Sequence, residues 1–280
     1  MITQNPALKK ICDELAFNAN KLPILQDTFS TITELYEKNG YEQEFFELES
    51  IVLSDPFLTL KVLFKIANQK NRLQKDVDSI KKVLMLLGVE DLFELVLKST
   101  VSVQHEGLSV AIKRARQASL FAKNISIIRY DILPEEVALA TLMADLGELM
   151  LWVFKPEIPE KIRNEMIKGS FKRNQEAQLM LCGFKFKELS LCLAQKWNLP
   201  TPIIDLMSNG VNLRARVAKT SVDISRHLNE HNGYLAIPDD IKEYRRILYL
   251  NEKENNKILS LLNLEDFVTK ETYEFILKKI

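Results

Sequence analysis

The 280-residue chain predicts an all-α fold, a helical bundle in two lobes. Three observations predict it. Apolar residues recur at three- and four-residue spacing along nearly the whole length. Capping side chains and prolines that open helices, and glycines that close them, stand between those stripes. No internal repeat of solenoid length and no low-complexity tract interrupts the pattern.

Asn5-Pro6 joins a cap to a proline at the first helical position, and Leu8, Ile11, Cys12 and Leu15 follow on one face. Leu22-Pro23 breaks this helix. Phe29, Ile32, Leu35 and Tyr36 form a second stripe that Gly40 is placed to end. Phe45, Leu48, Ile51 and Val52 form a third. Asp55-Pro56 is the clearest start signal, because the Asp carboxylate can accept free backbone N–H groups while Pro56 forfeits nothing there. Phe57, Leu60, Leu63, Phe64 and Ala67 then line one face. Ser79 caps a short helix carrying Ile80, Val83, Leu84 and Leu87, and Gly88 closes it. Val89 to about His105 reads as one further helix, with Leu92, Val96 and Val103 inward.

Gln104-His105-Glu106-Gly107 is a weak break, set here as the boundary between a first lobe, 1–104, and a second, 105–280. The second opens with a helix from about Leu108 to Ile128, whose Ile125-Ser126-Ile127-Ile128 is read as a frayed helix end rather than a strand. Pro134-Glu135-Glu136 starts another, with acids where they suit the helix dipole, running through Leu139, Leu142, Met143 and Leu146 to Trp152. Further helices are predicted at about 157–168, 174–182, 186–197, 202–209, 213–230, 239–250 and 253–279, the last with a break near Asn263.

Hydrophobic residues make up 46% and charged residues 27% of the chain, ordinary values for a soluble globular protein. No apolar run is read as approaching the roughly 18–20 residues of a membrane span, and Met1 to Pro6 has no signal-peptide pattern. The expectation is a cytoplasmic protein with no membrane partner. Lys+Arg and Asp+Glu are each 38, and this neutral balance argues against nucleic acid as a partner. Cys12, Cys182 and Cys192 are read as three reduced, mostly buried thiols, since an odd count at wide spacing is neither a disulfide framework nor a zinc motif.

Four stretches carry a resemblance. Leu22-Pro23-Ile24-Leu25 is the first. Ile51-Val52-Leu53-Ser54-Asp55-Pro56 with Val62-Leu63 and Ile66-Ala67-Asn68 is the second. Ser79-Ile80, Val83 and Leu86-Leu87-Gly88 make the third. Ala140-Thr141-Leu142-Met143-Ala144-Asp145-Leu146-Gly147, with Glu176, Gly183 and Trp197-Asn198-Leu199-Pro200 downstream, is the fourth. Together, over roughly 20–210, they resemble the HDOD family, a relative of the HD-domain metal phosphohydrolases. The resemblance implies an HDOD or HD-domain-like helical fold. It makes Asp55, Pro56, Asn68, Gly88, Trp197 and Pro200 family hallmarks of structural importance, and it links the chain with bacterial signalling, often motility or another environmental response.

HD chemistry needs imidazoles and carboxylates converging on metal that activates water and neutralises phosphate charge. The His-Asp doublet of the catalytic relatives reads here Ala144-Asp145, a vestigial position. The other family histidines would fall near Gln117, Phe186 and Ser208-Asn209, none of which is histidine. The histidines present are His105, His227 and His231. The expectation is therefore no catalytic residue, no metal ligand and no cofactor, with Asp145 kept as a polar anchor and Gly147 for close helix packing. His227 and His231, four apart, are read as helix-end cations rather than a metal pair. The basic groups Lys81-Lys82, Lys113-Arg114-Arg116 and Arg214, Arg216, Lys219 are read as solvated helix faces. The function expected is a non-catalytic regulatory module binding a signalling protein or small ligand in the interlobe groove. The alternatives are an atypical metal-dependent phosphohydrolase or phosphodiesterase, a nucleic-acid-binding regulator, and a scaffold.

Overall fold

A computed structural model describes residues 5–41, 45–67, 77–102, 105–208, 210–230 and 233–280. The fold is all-α. The first part contains α1 (Pro6–Phe17), α2 (Gln26–Asn39), α3 (Phe45–Ser54), α4 (Pro56–Ala67), α5 (Ile80–Leu87) and α6 (Val89–Leu97). The second contains α7 (Glu106–Ser126), α8 (Pro134–Leu142), α9 (Leu146–Phe154), α10 (Glu157–Ile167), α11 (Asn174–Cys182), α12 (Phe186–Lys196), α13 (Thr201–Met207) and α14 (Leu213–Asn229). Then follow α15 (Ile237–Leu248), α16 (Asn255–Leu262) and α17 (Lys270–Lys279).

The start and stop signals act as their chemistry requires. Oδ1 of Asn5 accepts from the N–H of Ala7 and Leu8 at 3.1 and 3.2 Å. Gly40 and Gly88 both take positive φ, +60° and +83°, where a side chain would be strained, and each N–H closes its helix on a carbonyl 2.8 Å away. Asn263 likewise turns left-handed between α16 and α17, so the predicted break is real. The helix end at 125–128 is also as predicted: α7 includes Ile125 and Ser126.

Four expectations need correction. The helix from Val89 stops at Leu97, because the chain turns back to pair with the Leu-Pro segment: Ile24 N–H donates to Thr100 O (2.9 Å) and Ser102 N–H to Ile24 O (2.8 Å). Val103 and the boundary at 104 lie outside the described residues. The helix from Pro134 to Trp152 is two helices, broken by a turn at 143–145. The stretch Pro134–Phe154 is long and apolar enough to cross a membrane: an 18-residue window within it has mean hydropathy 1.7, yet 78% of that window is buried inside the fold. Finally, Cys12 of α1 and Cys192 of α12 form a disulfide across 180 residues, leaving Cys182 free. Sequence spacing could not show this, because the pairing depends on α1 docking against α12.

One apolar core runs through both parts. Its centre is α7, buried along most of its length between α8 and α14, and touching α9, α16 and α4. α1 leaves the first part to pack on α12 and α9. Asn5 Nδ2 donates to Gly183 O at 2.7 Å, and Lys155 pairs with Glu14 at 2.6 Å.

Candidate functional site

The turn between α8 and α9 carries the vestigial doublet. Backbone bonds from Met143 and Ala144 to Leu139 and Thr141 wind up α8 and turn Asp145 inward, where it is buried. Its carboxylate meets the guanidinium of Arg226 on α14. Beside this pair, Arg114 of α7 meets Glu148 of α9, and Glu148 also accepts from Trp152 Nε1 at 3.3 Å. Two carboxylates and two guanidiniums thus form a compact, mostly buried cluster. Burial pushes the Asp145 carboxyl up, but Arg226 and Arg114 outweigh it and hold its pKa below the usual range. The Lys187 ammonium is pushed down by burial and by its cationic neighbours Arg226 and Lys219.

Gly147 permits the close packing expected of it. A Cβ there would lie 2.6 Å from Phe186 O and 2.7 Å from Ser190 N, and Gly147 N–H donates to Ser190 Oγ at 2.8 Å. α9 and α12 can approach this closely only without a side chain at 147.

The expected ligand positions converge in part. Ala144 and Ser208 line one cavity of about 230 Å³, together with Lys187, Lys219 and Arg226. Phe186 lines an adjoining cavity of about 50 Å³, with Arg114 and Glu148. Gln117 faces elsewhere: it is buried and accepts from Asn229 Nδ2 at 2.7 Å. Asn209 and His231 lie outside the described residues. His105 caps α7, and His227 Nδ1 lies 2.6 Å from Asp240 Oδ2 on α15. This set does not fit an HD-type metal: a divalent cation at Asp145 would meet two guanidiniums, and Ala144 offers it nothing.

The sequence reading missed the two arginines. Arg114 is not on a solvated face; it is 8% exposed. A signal existed, since Ala111 and Ala118, three residues before and four after it, are also buried, which places Arg114 on a buried side of α7. Arg214 and Arg216 are not solvated singly either: they clamp α14 to Glu136 (2.8 Å) and Glu243 (3.0 Å).

A second, wider site lies between the two parts. A groove of about 830 Å³ is walled by α3 and α5 on one side and by α7 and the start of α8 on the other. Lys81, Lys82, Arg116 and Lys123 reach it, with Glu49 and Glu135. Arg116 Nε donates to Ser54 O, which ties α7 to α3 across the groove.

The HDOD domain family matches residues 22–212, which include all the hallmark positions. The chain belongs to the HDOD family. No curated protein matches it. Among solved structures, this HDOD chain is similar to the MmoQ response regulator from Methylococcus capsulatus, at 18% identity, over 85% of this chain and 98% of that one, with a TM-score of 0.65. It is similar to a virulence factor from Campylobacter jejuni, at 18% identity, 95% and 98% coverage and a TM-score of 0.70. An HDOD domain protein of unknown function from Geobacter sulfurreducens matches at 17% identity, 97% of each chain and a TM-score of 0.48.

Within this HDOD fold the hallmark residues are joints. Asp55 caps α4 behind Pro56 and also holds the Leu22–Leu25 segment. Gly88 makes the sharp corner between α5 and α6. Trp197 crosses to α1, donating from Nε1 to Ala16 O at 3.2 Å, and packs edge-on to Phe64 of α4. Pro200 precedes α13 and is buried. Asn68 lies outside the described residues.

Proposed function

We propose that this HDOD chain is a non-catalytic bacterial signalling module that works by recognition. A signalling protein or small ligand seated in the interlobe groove biases the arrangement of the two lobes, 1–104 and 105–280, within a motility or other environmental response. Such a ligand acts only through different affinities for two arrangements. The observation that carries the reading is the pairing of Arg226 with Asp145, backed by Arg114 and Glu148. Positive charge that HD relatives take from metal is supplied here by fixed guanidiniums, which polarise no water and offer no open coordination position. MmoQ, of the same fold, is named a response regulator. The reading places the module in the cytoplasm.

The test is metal content by mass spectrometry on untagged protein purified without chelator, with assays on phosphodiester and phosphomonoester substrates in added divalent metal. The expected result is far less than one metal per chain and no turnover. Near-stoichiometric metal, with turnover lost in Asp145→Ala, would replace this reading with an atypical phosphohydrolase.

A further inference from the structure

We propose that the interlobe groove binds a mononucleotide-sized phosphorylated ligand, with Lys81, Arg116 and Lys123 holding its phosphate. This deepens, and rests on, the recognition reading above. At about 830 Å³ the groove falls within the range of roughly 300–1,000 Å³ typical of small-molecule sites.

The charges in the groove sort into two groups. Lys82 is paired with Asp78 at 2.6 Å, and Glu136 with Arg214 at 2.8 Å. Lys81, Arg116, Lys123, Glu49 and Glu135 have no ion-pair partner among the described residues. Glu135 lies in the first turn of α8, where the positive end of the helix already suits a carboxylate. Lys81 is the reverse. It is the second residue of α5, an ammonium at the positive end of a helix, a placement that favours an anion close by.

Arg116 and Lys123 lie seven residues apart on α7, so they share a face about 10.5 Å apart along the axis. Arg116 is pinned through Nε to Ser54 O, which fixes the guanidinium and leaves its two Nη groups for charge-assisted bonds. Three cations from two parts of the chain therefore face one space.

The rest of the lining suits the rest of a nucleotide. Leu120 and Leu133 are 45% and 52% exposed at the groove and offer apolar surface to a base. Glu49 and Glu135 are acceptors for sugar hydroxyls. Because α5 and α7 both contribute, a bound ligand would bridge the two parts of the chain and favour one arrangement of them.

The test is isothermal titration of the full chain with ADP, inorganic pyrophosphate and adenosine. ADP is expected to bind saturably, pyrophosphate more weakly, and adenosine more weakly still, with ADP affinity falling as salt rises. The double variant Lys81→Ala with Lys123→Ala should weaken ADP at least about tenfold. Both side chains lie on the surface of the groove, so its melting temperature without ligand should be unchanged. Lys219→Ala, at the cavity beside Ala144, should bind ADP as the parent does. No heat from ADP up to about 1 mM overturns the proposal. So does ADP binding that survives the double variant, or that is lost in Lys219→Ala. Pyrophosphate binding without ADP binding overturns the nucleotide assignment. Failure here leaves the metal-content result standing; ADP turnover would instead sink the recognition reading and not the site.

Discussion

Oδ2 of Asp55 accepts the backbone N–H of Leu25 at 2.7 Å, while Oδ1 of the same carboxylate accepts from Phe57 and Leu58 at 2.8 and 3.1 Å. One buried side chain thus caps α4 and fastens a segment 30 residues earlier. Lys61 reinforces the joint by donating to Leu22 O at 2.6 Å. Burial holds the Asp55 carboxyl above the usual carboxylate range, and the three N–H donors offset only part of that rise. Asp55→Ala leaves three buried donors unpaired and is expected to cost about 3–5 kcal/mol in urea unfolding. Asp55→Asn keeps one acceptor oxygen and should cost clearly less. Equal losses would mean that the carboxylate does not make this joint.

The Asp145–Arg226 pair makes a second prediction. Removing Arg226 strands the buried Asp145 carboxylate, so Arg226→Met should destabilise the fold by about 3–5 kcal/mol, and Asp145→Ala, which leaves a part-exposed guanidinium, by less. The double variant Asp145→Leu with Arg226→Met should lose much less than the sum of the two. Additive losses in the cycle would show that the two side chains are not coupled.

His227 gives the fold a pH dependence. Its hydrogen bond to Asp240 raises the imidazole pKa against the opposing effect of burial, and Asp223 and Glu230 push the same way. Asp240 is itself pushed up by burial and pulled down by His227. A base with a raised folded pKa stabilises most below its unfolded value of about 6.5, and that contribution fades as pH rises through the folded value. Stability measured by denaturant should therefore fall as pH rises above about 6.5. His227→Gln should flatten that fall; an unchanged slope would assign it to other groups.

Thiol counting tests the Cys12–Cys192 link. Denatured protein isolated oxidised should offer one reactive thiol, Cys182, and after reduction three. Reduction should lower stability by about 2–4 kcal/mol, since the link closes a long loop. Three reactive thiols before reduction would mean that the two cysteines stay separate.

The fold was largely legible because its signals are local. Gly40, Ser79, Gly88 and Asn263 act within a few residues of themselves, as do the helix-capping bonds of Asn5 and Asp55. The exceptions are made by distant partners. α6 ends at Leu97 because Ile24 pairs with the chain just beyond it, and periodicity carries no record of that contact. The turn at 143–145 was hidden because the apolar stripe continues unbroken across it. At the vestigial site, Ala144 and Asp145 were readable as a missing metal position. Arg114 and Arg226, 112 residues apart, were not, because only the packing of α7 against α14 brings them together.

The placement of α1 has a consequence for how the chain emerges from the ribosome. The helix is made before its partners: those of Asn5, Cys12 and Ala16 come 178, 180 and 181 residues later. At roughly 5–20 residues per second, α1 waits about 9–36 s before the surface that covers Leu8, Cys12 and Leu15 exists. Through that interval its apolar stripe is open to chaperones, and the lobe made first cannot reach its final form before the second has been translated.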